Sequence, residues 1–128
     1  HLPGSPFKTR RFRILKATMP VDKLLQLARQ QKVSLTEYLV STYMYSLIHI
    51  YKQEQQGRST ARPRRKKQGS TIRMEVPVDM RRYKPSRTMR NFSLYISPEI
   101  DLKLGDYDFA EVLQHMHHTI QLLKNGRI

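Results

Sequence analysis

Six charged residues crowd the turn between two patterned segments of this chain: Asp79, Arg81, Arg82, Lys84, Arg87 and Arg90. An arginine fixed at a strand end is preorganised for a carboxylate or phosphate, because its planar fork donates two parallel N–H bonds. The same spacing fits a simpler arrangement, an internal Asp79–Arg81 pair that pins the turn. Asn91 presents its amide at the start of the next segment or completes the turn. Two other groups could do chemistry. His115, His117 and His118 lie together near the C-terminus, and the run from Gly57 to Gly69 carries Arg58, Arg62, Arg64, Arg65, Lys66 and Lys67 without an acid.

The histidines fall on a helical pattern. At ~100° per residue, the apolar arc through Phe109, Leu113, Met116 and Ile120 leaves His118 almost opposite, His115 to one side and His117 at its edge. His115 and His118 form an i, i+3 pair that could share a metal, but no acid or third histidine stands beside them at ligand spacing. The expectation is a solvent-exposed helix face and no metal. The basic run lacks aromatic residues to stack on bases, so nucleic acid is disfavoured as its partner. It reads as a solvated, flexible loop over residues 57–69, with Arg62, Arg64, Arg65, Lys66 and Lys67 as anion-binding candidates. No Ser-His-Asp set, paired-carboxylate motif or Gly-rich phosphate loop is present in recognisable form, so no catalytic residue is assigned.

The elements that would position these groups are legible. Ile72, Met74, Val76 and Val78 alternate with Thr71, Arg73, Glu75 and Pro77, and Phe92, Leu94 and Ile96 alternate with Asn91, Ser93, Tyr95 and Ser97. Period-two alternation marks strands with one apolar face. A further strand is expected over Phe7–Lys16, with Phe12 and Ile14 on one face. Pro20 opens a helix whose Val21, Leu24, Leu25 and Ala28 repeat at i, i+3, i+4, i+7. A second helix begins at Ser34, where Ser34 and Glu37 form a capping box and Val33 is placed to pack on Tyr38. Its apolar set, Leu35, Tyr38, Leu39, Tyr43, Met44, Leu47 and Ile48, covers much of the circumference and predicts a central position. Asp101–Asp106 reads as a loop. Asp108, with Glu111 three positions on, caps a third helix that buries Phe109, Val112, Leu113, Met116, Ile120 and Leu123 and stops at Asn125-Gly126. The order β-α-α-β-β-α predicts a two-layer α/β sandwich.

A chain of 128 residues with formal charge +14 has room for one domain that buries roughly two thirds of its unfolded surface. The Pro- and Gly-bearing residues 1–6 read as a linker, and 7–128 as a single α/β domain. The absence of cysteine excludes disulfides and thiolate chemistry. No apolar run approaches the ~20 residues of a membrane helix, so a cytoplasmic setting without a membrane partner is expected. The charge also admits a rival reading, a basic non-catalytic module that binds nucleic acid or another anion.

The run VPVDMRRYKPSRTMRNFSLYISPEID resembles the C-terminal half of proteins in the chloramphenicol acetyltransferase-like superfamily, which includes alcohol acetyltransferases and condensation domains. Upstream, MPVDKLLQLARQQKVSLTEYLVSTYMYSL is similar to the two helices preceding that strand in the same family. The resemblance covers Phe12 to about Leu123. It implies a fragment of the C-terminal lobe of a two-lobed acyltransferase. Such an enzyme transfers an acyl group from CoA or a carrier-protein thioester to an alcohol or amine. The family's HHxxxD motif supplies the general base. The only adjacent pair here is His117-His118, and Leu122 stands where the aspartate is required, so the motif fails and the isolated chain is expected to be inactive. The resemblance further implies a tunnel between lobes, with Asp79, Arg81, Asn91 and Phe92 near it. It implies no bound cofactor, a thioester as co-substrate, and a missing N-terminal lobe as partner. Apolar surface left uncovered by that lobe would favour self-association.

Overall fold

The computed structural model describes residues 9, 11–57, 70–82 and 84–125. Three helices, α1 (Val21–Gln30), α2 (Leu35–Gly57) and α3 (Phe109–Asn125), pack with four short strands, β1 (Thr71–Arg73), β2 (Val76–Asp79), β3 (Ser93–Ile96) and β4 (Glu99–Asp101). Single 3₁₀ turns follow β2 at Met80–Arg82 and β4 at Leu102–Leu104. The architecture is mixed α/β, in the order helix, helix, strands, helix.

The two alternating segments form one antiparallel hairpin that breaks at mid-length. β1 pairs with β4, placing Ile72 opposite Ile100, and β2 pairs with β3, placing Val76 opposite Ile96. Stepping from Arg73–Glu99 to Val76–Ile96 crosses two residues on each strand, so both ladders keep one register without a bulge. Pro98 explains the break. Its carbonyl accepts from the Met74 amide at 3.0 Å, but a proline has no N–H to return the second bond of that pair. The even-numbered residues share one face, on which Ile72, Val76, Met80, Ile96 and Ile100 are buried, whereas Leu94, near the open end of the hairpin, is 48% exposed. The opposite face carries the Arg73–Glu99 pair, with Nε donating to Oε2 at 2.7 Å.

The helices end where their sequences dictate. The α1 C-terminus is a Schellman turn: Val33 donates to the Ala28 carbonyl at 3.1 Å and Lys32 to that of Arg29 at 3.0 Å. Lys32 occupies the left-handed position (φ +56°) that glycine usually fills. At the start of α2 the expected capping box forms, Ser34 N to Glu37 Oε2 at 2.9 Å and Glu37 N to Ser34 Oγ at 3.2 Å. A second box caps α3 through Asp108 and Glu111, at 2.9 and 2.8 Å.

The main core lies where α2 and α3 meet β1 and β4, and contains Met44, Leu47, Ile48, Ile72, Ile100, Val112 and Met116. Val76, Ile96 and Ile120 form a smaller neighbouring cluster. Each fully buried aliphatic side chain contributes up to about 1.5–3 kcal/mol. Phe109 meets Tyr38 and Tyr45 edge-on, with ring centroids 5.8 and 5.6 Å apart, and this fastens α3 to α2.

The structure departs from the sequence expectation at the amino end. Residues 11–20 form no regular element, and Phe12, Ile14 and Leu15 are 86%, 68% and 87% exposed. The strand expected over Phe7–Lys16 is therefore absent among the described residues. A lone alternating segment finds no ladder partner there, and alternation without a second backbone does not make a strand. On α1 only Ala28 is buried, Leu24 and Leu25 are half-buried, and Val21 is exposed. Leu39 and Tyr43 on α2 are also exposed, so that helix is central along one side only. The segment expected as a loop after Ile100 completes β4 and then a 3₁₀ turn, which the Asp101 carboxylate caps by accepting from Lys103 N at 3.0 Å.

Candidate functional site

The charged turn is built around Arg81. Asp79 ends β2, and its Oδ1 accepts from the Arg81 amide at 3.0 Å and from Arg81 Nη1 at 3.3 Å. Arg81 Nη2 reaches across to the Arg90 carbonyl at 2.9 Å and the Thr88 carbonyl at 3.3 Å. The guanidinium thus clamps both ends of the connection between β2 and β3. Asn91 Oδ1 accepts from Ser93 Oγ at 2.8 Å. Phe92 is half-buried, and its carbonyl accepts from Met80 N at 2.9 Å. Asp79, Arg81, Asn91 and Phe92 therefore gather around one hairpin end. The Asp79–Arg81 pair pins that turn from within.

A different polar centre lies between the helices. Glu37 on α2 is fully buried, yet its carboxylate has four partners. Oε2 accepts from the Ser34 amide and lies 3.0 Å from His117 Nδ1. Oε1 accepts from Gln121 Nε2 at 2.7 Å and lies 3.9 Å from Lys124 Nζ. Burial by itself pushes this carboxyl up. Hydrogen bonds from the Ser34 amide, His117, the Ser34 side chain and Gln121 outweigh it, and hold Glu37 below its ordinary 4.5. An ionised carboxylate accepts only, so in this contact His117 donates from Nδ1, which leaves Nε2 turned away from Glu37.

The same ring lines an open cleft of about 290 Å³ between the α1–α2 turn and the first half of α3. Its walls are Gln31, Lys32, Val33, Ala110, Leu113, Gln114, His117 and His118. Among the described residues no carboxylate lines it. Lys32, His117 and His118 give it three groups that carry or can acquire positive charge.

The three histidines thus divide. His118 is exposed, as the helical arc requires. His115 is exposed as well, but its Nε2 lies 2.8 Å from the Glu99 carbonyl and ties α3 to β4. His117 departs from the expected solvent face, because it is half-buried against Glu37. Its place at the edge of the apolar arc was the available signal. The capping-box pattern accounted for only one of Glu37's partners, since the others lie on α3. Arg62, Arg64, Arg65, Lys66 and Lys67 lie outside the described residues. Among the described residues no helix is long and apolar enough to cross a membrane.

A family model described as "Alcohol acetyltransferase" matches residues 6–120, which takes in the hairpin, both of its ladders and most of α3. No curated protein and no solved structure matches the chain.

Proposed function

Because the chain belongs to the alcohol acetyltransferase family, we propose that it forms one lobe of an acyl-transferring enzyme acting in the cytoplasm. The match across residues 6–120 supports this reading. The acyl group comes from a CoA or carrier-protein thioester and passes to an alcohol or amine. An imidazole on the other lobe takes the acceptor's proton as oxygen or nitrogen attacks the thioester carbonyl. Collapse of the tetrahedral oxyanion then breaks the C–S bond, and the departing thiolate takes up that proton. The 128-residue chain alone does not turn over. Exposed apolar side chains at Phe12, Ile14, Leu15 and Met19 suit a surface that the second lobe covers, and in its absence they favour self-association.

Asp79 and Arg81 serve this reaction by fixing the hairpin end, with Asn91 and Phe92 beside them, as part of a tunnel wall. Arg81 directs three of its donors at its own chain, which suits shaping better than substrate capture. The basic run containing Arg62, Arg64, Arg65, Lys66 and Lys67 contacts donor phosphates. The parent enzyme, given acetyl-CoA and a panel of small alcohols and amines, should release free thiol and an ester or amide in equal amounts. The 128-residue chain should release none above buffer. A parent that acylates no acceptor from any thioester would defeat the assignment. Deleting residues 58–67 should raise the donor KM, and an unchanged KM would remove the role given to the basic run.

A further inference from the structure

We propose that the cleft between the α1–α2 turn and α3 binds a tetrahedral oxyanion, the phosphate or sulfate group of a ligand, through Lys32, His118 and Nε2 of His117. Three observations carry this. The lining offers three cationic or ionisable donors, adds the Gln31 and Gln114 carboxamides, and among the described residues contains no carboxylate that would repel an anion. His117 is held rather than loose: Glu37 fixes Nδ1 from behind, and among the described residues no protein group bonds Nε2. The Nε2–H of the protonated ring is thus an available donor on the cleft side. Lys32 is set at the rim by a Schellman turn in a left-handed conformation that costs a non-glycine residue stability. The strained residue is thus one that lines the cleft.

The groups facing His117 make binding pH-dependent. The charged and titratable groups around His117 are Glu37 from α2 at Nδ1, His118 beside it on α3, and Lys32 from the α1–α2 turn. Lys124 lies behind Glu37 and partly offsets its charge. An imidazole gains charge as pH falls, so a cleft lined by two of them should hold an anion more tightly at acid pH. Neither sulfate binding nor its pH dependence requires an acyl donor or the proposed reaction.

The test is an NMR titration of the 128-residue chain with sodium sulfate, whose charge is constant between pH 5 and 8, at fixed ionic strength. The imidazole Cε1–H resonances of His117 and His118 should shift saturably and that of His115, which does not line the cleft, should stay. Binding should tighten at least several-fold from pH 8 to pH 5.5. Lys32→Gly keeps the left-handed turn comfortable while removing the charge, and should weaken binding about 3- to 5-fold. His118→Gln should weaken it as well, with the other resonances unmoved. Acetate, a planar monoanion, should bind more weakly than sulfate. Linear shifts without saturation, equal movement of all three histidines, or an unchanged affinity in both variants would each overturn the proposal.

Discussion

The carboxylate of Glu37 on α2 lies 3.0 Å from Nδ1 of His117 on α3, across a sequence separation of 80 residues. This relationship joins the capping box of one helix to the buried flank of another, and makes one side chain responsible for both. Glu37→Ala removes the capping-box acceptor and leaves His117 and Gln121 without their partner. The expected loss is about 2–4 kcal/mol, combining a lost cap with unpaired polar groups. Ser34→Ala removes only the hydroxyl half of the box and should cost about 1 kcal/mol. Urea denaturation of the two variants checks both values, and equal losses would show that the α3 partners contribute nothing.

The lowered Glu37 carboxyl fixes the sign of an acid dependence. Its folded-state pKa is below the unfolded value of 4.5, so near and below that pH the unfolded chain binds more protons. The stabilisation is complete above the unfolded value and is lost as pH falls through the folded one. Unfolding free energy should therefore drop as pH is taken from about 5 towards 3. Glu37→Gln should flatten that part of the profile while lowering stability at neutral pH. A variant that keeps the wild-type acid slope would assign the dependence to other carboxylates.

Arg81 makes a different kind of contribution. It is exposed, so its ion pair with Asp79 adds little to global stability, under about 1 kcal/mol. Its two bonds to the Thr88 and Arg90 carbonyls hold the far end of the connection between strands, and the ammonium of a lysine does not reproduce that planar fork. Arg81→Lys should leave the denaturation midpoint nearly unchanged yet speed amide exchange from Ser86 to Asn91. Exchange as slow as in the wild type would show that the connection is held by its own turns, such as Thr88 N to Ser86 Oγ at 3.2 Å.

Local rules made much of this legible. The period-two alternation of Ile72, Met74, Val76 and Val78 gave the inward face of the hairpin, because strand geometry imposes that period regardless of context. Both capping boxes followed from Ser34 and Asp108 with a glutamate three residues on. What escaped depended on remote partners. Phe12 and Ile14 alternate as a strand should, but a strand exists only where a second backbone meets it. Glu37 looked like a cap alone because its other partners are supplied by α3. His117 could be set at the boundary between buried and exposed, but which carboxylate awaited it there was a property of helix packing.

The interrupted hairpin yields a paired prediction on its two prolines. Hydrogen-bonded sites alternate along an antiparallel ladder. The Met74 amide bonds the Pro98 carbonyl and the Met80 amide bonds the Phe92 carbonyl, so the even-numbered positions are the bonded ones. Pro98 occupies such a site, opposite Met74, and there the missing N–H costs a ladder bond. Pro77, opposite Tyr95, occupies a non-bonded site on a two-stranded edge, where its nitrogen points away from the partner and nothing is lost. Pro98→Ala should therefore create a slowly exchanging amide that donates to the Met74 carbonyl and joins the two ladders. Pro77→Ala should create an amide that exchanges at the rate of an exposed edge. Stability should change little at position 98, since a gained hydrogen bond of about 1 kcal/mol offsets the lost rigidity of the unfolded chain and some buried volume. Measured exchange protection at 77 but not at 98 would mean that the register of the whole hairpin is shifted by one residue.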